Sequence, residues 1–526
     1  MLLSLLLVVP LIFISFYLPI YSDELLYKWF SGRLWLDNGV ALGLFPHCVE
    51  EFSQKTPKLF LVSRLFDSYL YSDIANPLII RVFGILSFII WLTLLFFLCR
   101  RLITTNFERH FLLKTSLMFF GTLPIMMTLN RPEQALIVAI TASCFLPLIQ
   151  GNGISIQIFL ISSFSFLVAW FFPQHPKTLL FLPFFLTVCF FLPIRRAYRF
   201  GLTLWIFVMA YSSFSFYSVY HACPLNHDIE QLFSATLISP SMFLKMPWFY
   251  TKQVVRNLFS ISKYFNAISF SASSEASWLP PIEISLPVKI LNFLMLTLLA
   301  GWLIDEALRC CRSLRKQSSV LNLDFRAIGC STLYLAAFSL VLLQTTKSFY
   351  NSTLFFPILI LAGMLGNKKV SINTSNENLR KSLSYFTIGL SFVSLIFAAY
   401  LYLPKHITNW QKGGQLEFQY NSFSAFKWNE VRERVLRLSA QCNLENRPST
   451  KHLVVDDITY PFFIKSVEPY HIGYITGFWS IGISDLSLFL KTHQSAGLIS
   501  QCKYLPTPLV SQSLKDGYFC CLPAFK

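Results

Sequence analysis

Two adjacent carboxylates, Asp23 and Glu24, directly follow the apolar stretch from Met1 to Leu18. Charge is costly near a bilayer, so a carboxylate held there needs a reason. A carboxylate just outside a membrane can act as a general base for an incoming hydroxyl group. Asp23 can also cap the amphipathic helical segment "ELLYKWFSGRLW", and both roles hold if Asp23 caps while Glu24 stays exposed. The pair therefore has a catalytic and a structural interpretation.

Three short connections between apolar stretches each keep a single basic residue. These are Arg131 in "TLNRPEQAL", Lys177 in "WFFPQHPKTLL", where His175 lies close by, and Lys347 in "QTTKSFYNSTLFFP". A lysine or arginine at the end of a membrane helix often has no function beyond placing its charged group at the interface. Three such cations on separate tips, with the carboxylates on a fourth, predict instead an anion site such as one for a lipid phosphate.

A lipid phosphate at this site would give each charged residue a chemical task. If the phosphate is the leaving group of a lipid-linked sugar, the carboxylate accepts a proton as the hydroxyl attacks C1. The cations then stabilise the negative charge that accumulates on the departing phosphate. The charged tips are therefore interpreted as one site at the outer membrane boundary.

The elements that carry these tips are membrane helices. Of the 526 residues, 54% are hydrophobic and only 13% are charged, which excludes an ordinary soluble protein. Apolar runs recur at the length that spans a hydrocarbon core of about 30 Å. We predict eleven spans, at 2–19, 77–98, 111–129, 134–150, 154–172, 178–194, 200–219, 287–304, 327–346, 353–366 and 383–403.

The distribution of basic residues predicts the orientation of these spans. The net charge of +17 is concentrated in alternate connections, for example around Arg100, Arg195, Arg309 and Lys368, and this pattern argues against a nucleic-acid partner. By the positive-inside rule these connections are cytoplasmic, so the N-terminus lies inside and the C-terminus outside. Met1 to Leu18 lacks a basic n-region and a small-residue cleavage site, and we interpret it as a retained span.

The sequence predicts two modules. The first, 1–403, is an all-α polytopic membrane bundle with large outer loops at 20–76 and 220–286. The second loop carries the amphipathic segment "SMFLKMPWFYTKQVVRNLF", which either lies on the membrane interface or packs on the bundle. The second module, 404–526, is a polar extracytoplasmic α+β domain with a helical patch from Trp428 to Leu438 and the strand-like runs "HLVVDDITY" and "HIGYITGFW".

Six of the twelve cysteines fall on the predicted outer side, namely Cys48, Cys223, Cys442, Cys502, Cys520 and Cys521. An even number in an oxidising compartment indicates disulfides. We predict that the last four are bonded among themselves, although spacing does not decide their connectivity. No spacing is typical of a metal site.

The charged tips resemble those of the GT-C superfamily of membrane glycosyltransferases, which use polyprenyl-phosphate sugars. An acidic pair after the first span is the hallmark of that superfamily. "NRPEQ" resembles the "RPEP" element of the mycobacterial cell-wall arabinosyltransferases, "QHPK" is similar to their "HPTG" element, and "TTKSFYN" to their "TKWTHH" element. All four elements stand in the family's order and on one side of the membrane.

The resemblance implies that Asp23 is the general base and Glu24 its partner. It also implies that Arg131, Glu133, His175 and Lys347 line the donor site, whereas the role of Lys177 rests on its charge alone. The departures are an Asp-Glu pair in place of Asp-Asp, a missing glycine in "HPK" and missing paired histidines in "KSFYN". Arabinose is therefore not carried across as the donor sugar.

We expect an inverting glycosyltransferase of a bacterial inner membrane, with its C-terminal domain in the periplasm. It would transfer a sugar from a polyprenyl-phosphate donor to a cell-envelope glycan or glycolipid on the periplasmic face. No cofactor is firmly predicted, and a divalent cation is left open. The alternatives are a transporter or flippase of a lipid-linked saccharide, and an oligosaccharide ligase or polymerase.

Overall fold

The computed structural model describes the chain in segments. They are residues 2–18, 20–21, 24, 78–103, 107–151, 153–221, 245–270, 279, 282, 284–316, 324–343, 348–366, 377–411, 422–423, 428–444, 452–456, 459, 462–463, 470–471, 486, 490, 495–517 and 519–523. The chain forms two compact units. The first comprises Met1–Leu18, Arg81–Phe214 and Thr236–Lys405, and the second comprises Pro19–Ile80, Ser215–Ala235 and His406–Lys526.

The first unit is helical in its described residues. Its helices are α1 (Leu2–Tyr17), α2 (Leu78–Leu102), α3 (Phe107–Ser116), α4 (Leu123–Met127), α5 (Pro132–Phe145), α6 (Ile154–Phe171), α7 (Leu182–Phe191), α8 (Arg196–His221), α9 (Pro247–Phe259), α10 (Ser262–Ala267), α11 (Leu286–Lys316), α12 (Phe325–Leu343), α13 (Ser348–Gly366) and α14 (Glu377–Gln411). Short 3₁₀ helices at Leu117–Phe119, Leu146–Leu148, Phe172–Gln174 and Pro176–Phe181 extend or connect them.

Five of the described helices are long and apolar enough to cross a membrane, and they identify a membrane protein. The apolar stretches are Ile79–Leu102, Ile154–Gln174, Leu286–Arg309, Phe325–Leu343 and Lys381–Pro404. They correspond to five of the eleven predicted spans. Four further apolar helices are shorter, at Leu7–Phe16, Pro132–Leu148, Lys177–Phe191 and Tyr350–Gly366. Eleven full-length membrane helices are therefore not confirmed.

The predicted span 111–129 is wrong as a single helix. Gly121 breaks it with φ of +57°, a conformation that favours glycine. A Cβ atom at this position would overlap the carbonyl oxygen of Ile268. The backbone groups freed by the break are satisfied, since Gly121 N–H donates to Ser394 Oγ (2.8 Å) and Thr122 N–H to Ile268 O (2.9 Å). Apolar composition alone does not reveal such a break.

Helix α13 forms the centre of the first unit. It is buried from Asn351 to Leu365, as expected for a helix that is apolar all round. It packs against α12 and α5. Because α13 begins directly after the Lys347 tip, and α5 directly after Arg131, the packing of these two helices brings two predicted site segments to one place.

The second unit contains a small sheet in the order β4-β3-β5-β7-β6. Its strands are β3 (Leu453–Val455), β4 (Tyr470–His471), β5 (Gly497–Gln501), β6 (Leu514–Asp516) and β7 (Phe519–Pro523). Strand β3 runs parallel to both β4 and β5, whereas β7 pairs antiparallel with β5 and β6. Helix α15 (Trp428–Gln441) packs against β6 and β7, which agrees with the predicted helical patch.

A separate two-stranded ribbon in the second unit ties the segment after α1 to the C-terminal region. Strand β1 (Ile20–Tyr21) pairs antiparallel with β2 (Ser422–Phe423), with Ile20 opposite Phe423. The ribbon ends two residues before Asp23 in sequence. The predicted acidic pair therefore follows a strand that is paired with residues about 400 positions further along the chain.

Two disulfides join the tail cysteines. Cys442 pairs with Cys521 and Cys502 with Cys520. Both disulfides are anchored in β7, the strand between β5 and β6, because Cys520 and Cys521 lie in it. Cys48 and Cys223 lie outside the described residues.

Replacing both Cys442 and Cys521 with serine is expected to destabilise the C-terminal region more than replacing both Cys502 and Cys520. The sequence separations are 79 and 18 residues, and closing loops of these lengths contributes about 4.5 and about 3 kcal/mol in the chain-entropy treatment. Thermal unfolding of the two double variants measures the difference. Non-reducing peptide mapping of protein taken from the membrane tests the pairing, and four free thiols would refute it.

Candidate active site at the tips of three helices

The sequence "NRPEQ" forms the start of helix α5. Arg131 has extended backbone angles (φ −120°, ψ 165°) and Pro132 takes the first helical position, where its missing N–H is not needed. Gln134 holds the turn, since its Oε1 accepts from Arg131 N–H (3.2 Å) and its Nε2 donates to Met126 O (2.9 Å). The backbone of this tip is therefore held from both sides.

Helix α2 reinforces the tip through a close approach at Gly84. A Cβ atom there would overlap the carbonyl oxygen of Thr128 and lie 2.9 Å from the backbone nitrogen of Asn130. The hydroxyl of Thr128 is in turn hydrogen-bonded to Ser15 of α1 at 2.8 Å. The tip that carries Arg131 is thus clamped between α1 and α2.

Glu133 joins two of the predicted tips. Its side chain is fully buried, and its two carboxylate oxygens contact different cations. Oε2 lies 3.2 Å from Arg131 Nε, and Oε1 lies 3.2 Å from Lys177 Nζ. Arg131 and Lys177 are themselves only 6% and 7% exposed. From the sequence, each of these cations was interpreted as an isolated charge. The structure corrects this interpretation, because both cations are paired with the same carboxylate.

His175 and Lys177 are set by the 3₁₀ helix Pro176–Phe181. The Nδ1 atom of His175 accepts a hydrogen bond from the backbone N–H of Lys177 at 3.1 Å. The hydroxyl of Thr178 donates to the carbonyls of Phe172 and His175. These bonds hold the "QHPK" turn so that the Lys177 side chain reaches Glu133.

The start of α13 adds an aromatic surface to the cluster. The guanidinium carbon of Arg131 lies 3.9 Å from the ring centroid of Tyr350, within the range of a cation–π contact. Next to it, Asn351 Nδ2 donates to the hydroxyl of Tyr264 at 3.2 Å. Side chains from the "NRPEQ", "QHPK" and "TTKSFYN" segments therefore meet in one cluster, which we call the Glu133 cluster (Arg131, Glu133, Lys177 and Tyr350). Its three charged members are buried and Tyr350 is partly exposed.

Three further site residues were predicted from the sequence, namely Asp23, Glu24 and Lys347. Asp23 and Lys347 lie outside the described residues. Glu24 belongs to the second unit and is fully buried, which corrects the sequence interpretation that left it exposed. Across the segments that the structure describes, no group of three or more His, Cys, Asp or Glu side chains is arranged to hold a metal ion.

Three residues near the tips were not singled out from the sequence. Tyr350 and Gln174 stand inside the quoted motifs, so their positions were available but their contacts were not. Gln174 is 3% exposed, and its Nε2 has no hydrogen-bond partner in the described structure. Arg81 is 1% exposed in α2 and donates from Nη1 to Ser15 O at 2.7 Å. An arginine inside an apolar stretch was the signal that could have identified it.

Comparison with known proteins gives a structural likeness but no match in sequence. No family model matches the sequence, and no curated protein matches it. The chain is similar to the Archaeoglobus fulgidus oligosaccharyltransferase in its apo form, with 11% identity and a TM-score of 0.44 over 95% of this chain and 69% of that chain. The same enzyme in complex with Zn and sulfate gives 9% identity and a TM-score of 0.43 over 94% and 68% of the two chains. A likeness at this level does not establish a shared activity.

Proposed function

We propose that the protein is an inverting GT-C glycosyltransferase that uses a polyprenyl-phosphate sugar and acts at the outer face of a bacterial inner membrane. The observation that carries the proposal is the Glu133 cluster. It joins side chains of three segments that resemble donor-site elements of one enzyme family, although those segments are far apart in sequence. The sugar acceptor is a glycan or glycolipid of the cell envelope.

In this proposal the Glu133 cluster binds the donor phosphate. An arginine has five N–H donors in a planar fork, a geometry that matches the oxygens of a phosphate, and the Nε of Arg131 is held by Glu133 at 3.2 Å. Lys177 adds a point charge, and Glu133 positions both cations. Because the cations are held before the substrate arrives, little reorganisation is needed when negative charge develops on the phosphate.

The reaction follows from these roles. A hydroxyl oxygen of the acceptor attacks C1 of the sugar from the face opposite the phosphate, and the new glycosidic bond forms as the bond from C1 to the phosphate oxygen breaks. The electron pair of the broken bond leaves with the polyprenyl phosphate, next to Arg131 and Lys177. The hydroxyl proton passes to the Asp23 carboxylate. Attack from the opposite face inverts the configuration at C1.

Gln174 supports a polar ligand close to the cluster. It lies one residue before His175 and three before Lys177, and its buried Nε2 donor lacks a hydrogen-bond partner among the described residues. A buried donor without an acceptor is destabilising, so native proteins seldom leave one unused. A phosphate oxygen or a sugar hydroxyl would satisfy it.

A transporter of lipid-linked saccharides is the alternative from another class. The observation in its favour is a second buried ion pair in the first unit, in which Lys114 Nζ lies 3.5 Å from Glu306 Oε1. A transporter would move the intact labelled donor across the membrane of proteoliposomes, whereas a transferase would release polyprenyl phosphate. An oligosaccharide ligase or polymerase would also release a polyprenyl carrier, and the length of the transferred sugar distinguishes it.

Replacing Arg131 with alanine is expected to lower kcat and to weaken donor binding, by about 10- to 100-fold in kcat/KM for the donor, since a hydrogen bond to a charged group contributes about 1.5–3 kcal/mol. Arg131→Lys should restore activity only in part, because the charge returns without the planar fork. Steady-state kinetics of the purified protein, with donor and acceptor varied separately, measure both effects.

The matched control is Arg326→Ala. Arg326 is a half-buried arginine of the same unit whose Nε donates to the carbonyl of Leu365, at the opposite end of α13 from Tyr350. Its loss should affect stability and leave the donor kinetics of the folded fraction unchanged. An Arg131→Ala protein with normal donor kinetics, or one impaired only in KM for the acceptor, would contradict a phosphate site at the Glu133 cluster.

A further inference from the structure

Helix α9 exposes large apolar side chains on one face. Trp248 and Phe259 at its two ends are both 80% exposed, and Val255 between them is 47% exposed. At about 100° per residue, these three side chains fall within one stripe about 40° wide. Such a row of exposed aromatic and aliphatic groups is unusual on a surface that faces only water.

The opposite face of α9 is fixed to the end of a membrane helix. Asn257 is 1% exposed, and its Nδ2 donates to the carbonyl of Leu342 at 2.6 Å. Leu342 lies in the last turn of α12, whose apolar stretch ends at Leu343. Helix α9 is therefore held at the level where a candidate membrane span ends, which is the level of the bilayer surface.

Helix α10 fixes the same level through a second set of bonds. The hydroxyl of Tyr264 donates to Leu340 O at 3.0 Å, two residues before the acceptor of the first contact in α12. Ser352 of α13 donates from Oγ to the backbone carbonyl of Tyr264 at 3.1 Å. With two helices of the bundle holding it, the α9–α10 segment has a defined depth relative to the membrane helices.

The charges around the apolar stripe all have one sign. Residues 245–270 contain no Asp or Glu and four basic residues, which are Lys245, Lys252, Arg256 and Lys263. All four are exposed. Lys252 and Arg256 lie about 40° and 80° round the helix from Trp248, so the basic side chains border the apolar stripe on one side. This is the arrangement of a helix that lies in the plane of a membrane interface.

We infer that α9 rests on the surface of the bilayer, with the Trp248, Val255 and Phe259 stripe among the acyl chains and with Lys252 and Arg256 on the phosphates of anionic phospholipids. The amphipathic Trp and the basic side chains place their polar ends in the headgroup layer. Depth, apolar area and charge all favour a lipid surface. This inference does not depend on the transferase activity proposed above.

The test places p-benzoylphenylalanine at position 248 or 259 of the full-length protein, reconstituted in nanodiscs of phosphatidylcholine and phosphatidylglycerol. Irradiation should yield phospholipid adducts at both positions, identified by mass spectrometry of the peptides. Position 293 is the positive control, because Phe293 is 70% exposed on membrane helix α11. Position 432 is the negative control, because Arg432 is exposed on α15 of the second unit.

A second arm tests the basic side chains. In Lys252→Gln/Arg256→Gln protein, the adducts at position 248 should persist, but their ratio of phosphatidylglycerol to phosphatidylcholine should fall about fivefold for each charge removed. An unchanged ratio would overturn the role of the two cations. Absence of lipid adducts at positions 248 and 259, or crosslinks there to another segment of this chain or to a second polypeptide, would overturn the bilayer as the partner.

Discussion

The free energy of unfolding of Glu133→Gln protein is expected to be about 3–5 kcal/mol lower than that of the wild type, because the change leaves two buried cations without their shared carboxylate. Glu133 is fully buried and contacts both Arg131 Nε and Lys177 Nζ at 3.2 Å. Glutamine keeps the shape of the side chain and removes only its charge. The measurement is thermal unfolding of the purified protein in one detergent.

The same variant tests whether the cluster is an anion site. If the two cations bind a phosphate during the reaction, inorganic phosphate or pyrophosphate should occupy the place of the missing charge. The anion should therefore raise the unfolding temperature of Glu133→Gln protein with increasing concentration, and should raise that of the wild type less. Chloride at equal ionic strength controls for general screening.

Glu306 provides a matched control for this experiment. It is 5% exposed and pairs with the buried Lys114, whose Nζ also lies 5.5 Å from the ring centroid of Trp302. Glu306→Gln should therefore destabilise the protein in the same way but should gain nothing from phosphate. Equal stabilisation of both variants by phosphate would mean that the effect is not specific to the Glu133 cluster.

The membrane helices were predictable to the extent that an apolar run maps onto one helix. Ile79–Leu102 and Ile154–Gln174 satisfied this condition, since each is continuous and long enough to span a bilayer. The run 111–129 did not, because Gly121 adopts a positive φ and packs against the carbonyl of Ile268. That contact joins residues far apart in sequence, so it cannot be predicted from local composition.

The sequence identified several residues of the candidate site, but it did not predict the contacts between them. Arg131 and Lys177 were recognised because each is the single basic residue of a short connection between apolar stretches. Their common partner Glu133 was assigned to the site. The sequence did not reveal that one of its oxygens contacts Arg131 in its own segment and the other contacts Lys177, 44 residues further along the chain. The contact of Arg131 with Tyr350 was missed because aromatic residues make up 17% of the chain and a single tyrosine does not stand out.

Asp23→Asn protein is expected to transfer sugar about 10²–10⁴ times more slowly than the wild type, the range found when a general base is lost. Asparagine keeps the size and the capping ability of the side chain but cannot accept the proton of the incoming hydroxyl. Folding and donor affinity should therefore be retained. The rate is measured as polyprenyl phosphate released from a defined donor, and donor affinity by direct binding to the same preparation.

Glu24→Gln is the neighbouring control. Glu24 is fully buried in the second unit, so its replacement should reduce stability and have a smaller effect on the rate of the folded protein. Asp23→Glu should recover part of the activity, because the carboxylate returns at a shifted position. The reverse pattern, in which Glu24→Gln abolishes transfer and Asp23→Asn does not, would make Glu24 the base.

Measurements of donor binding distinguish the proposed role of Asp23 as the base from that of Arg131 in the phosphate site. Arg131 is proposed to act on the leaving phosphate and Asp23 on the acceptor hydroxyl, so only Arg131→Ala should weaken donor binding, whereas both variants should slow the chemical step. Asp23→Asn protein that binds the donor normally and still transfers sugar at the wild-type rate would exclude Asp23 as the base. If Asp23→Asn protein instead loses donor binding, this carboxylate acts at the phosphate end of the substrate. There it would pair with the cations of the Glu133 cluster or coordinate a bound divalent cation.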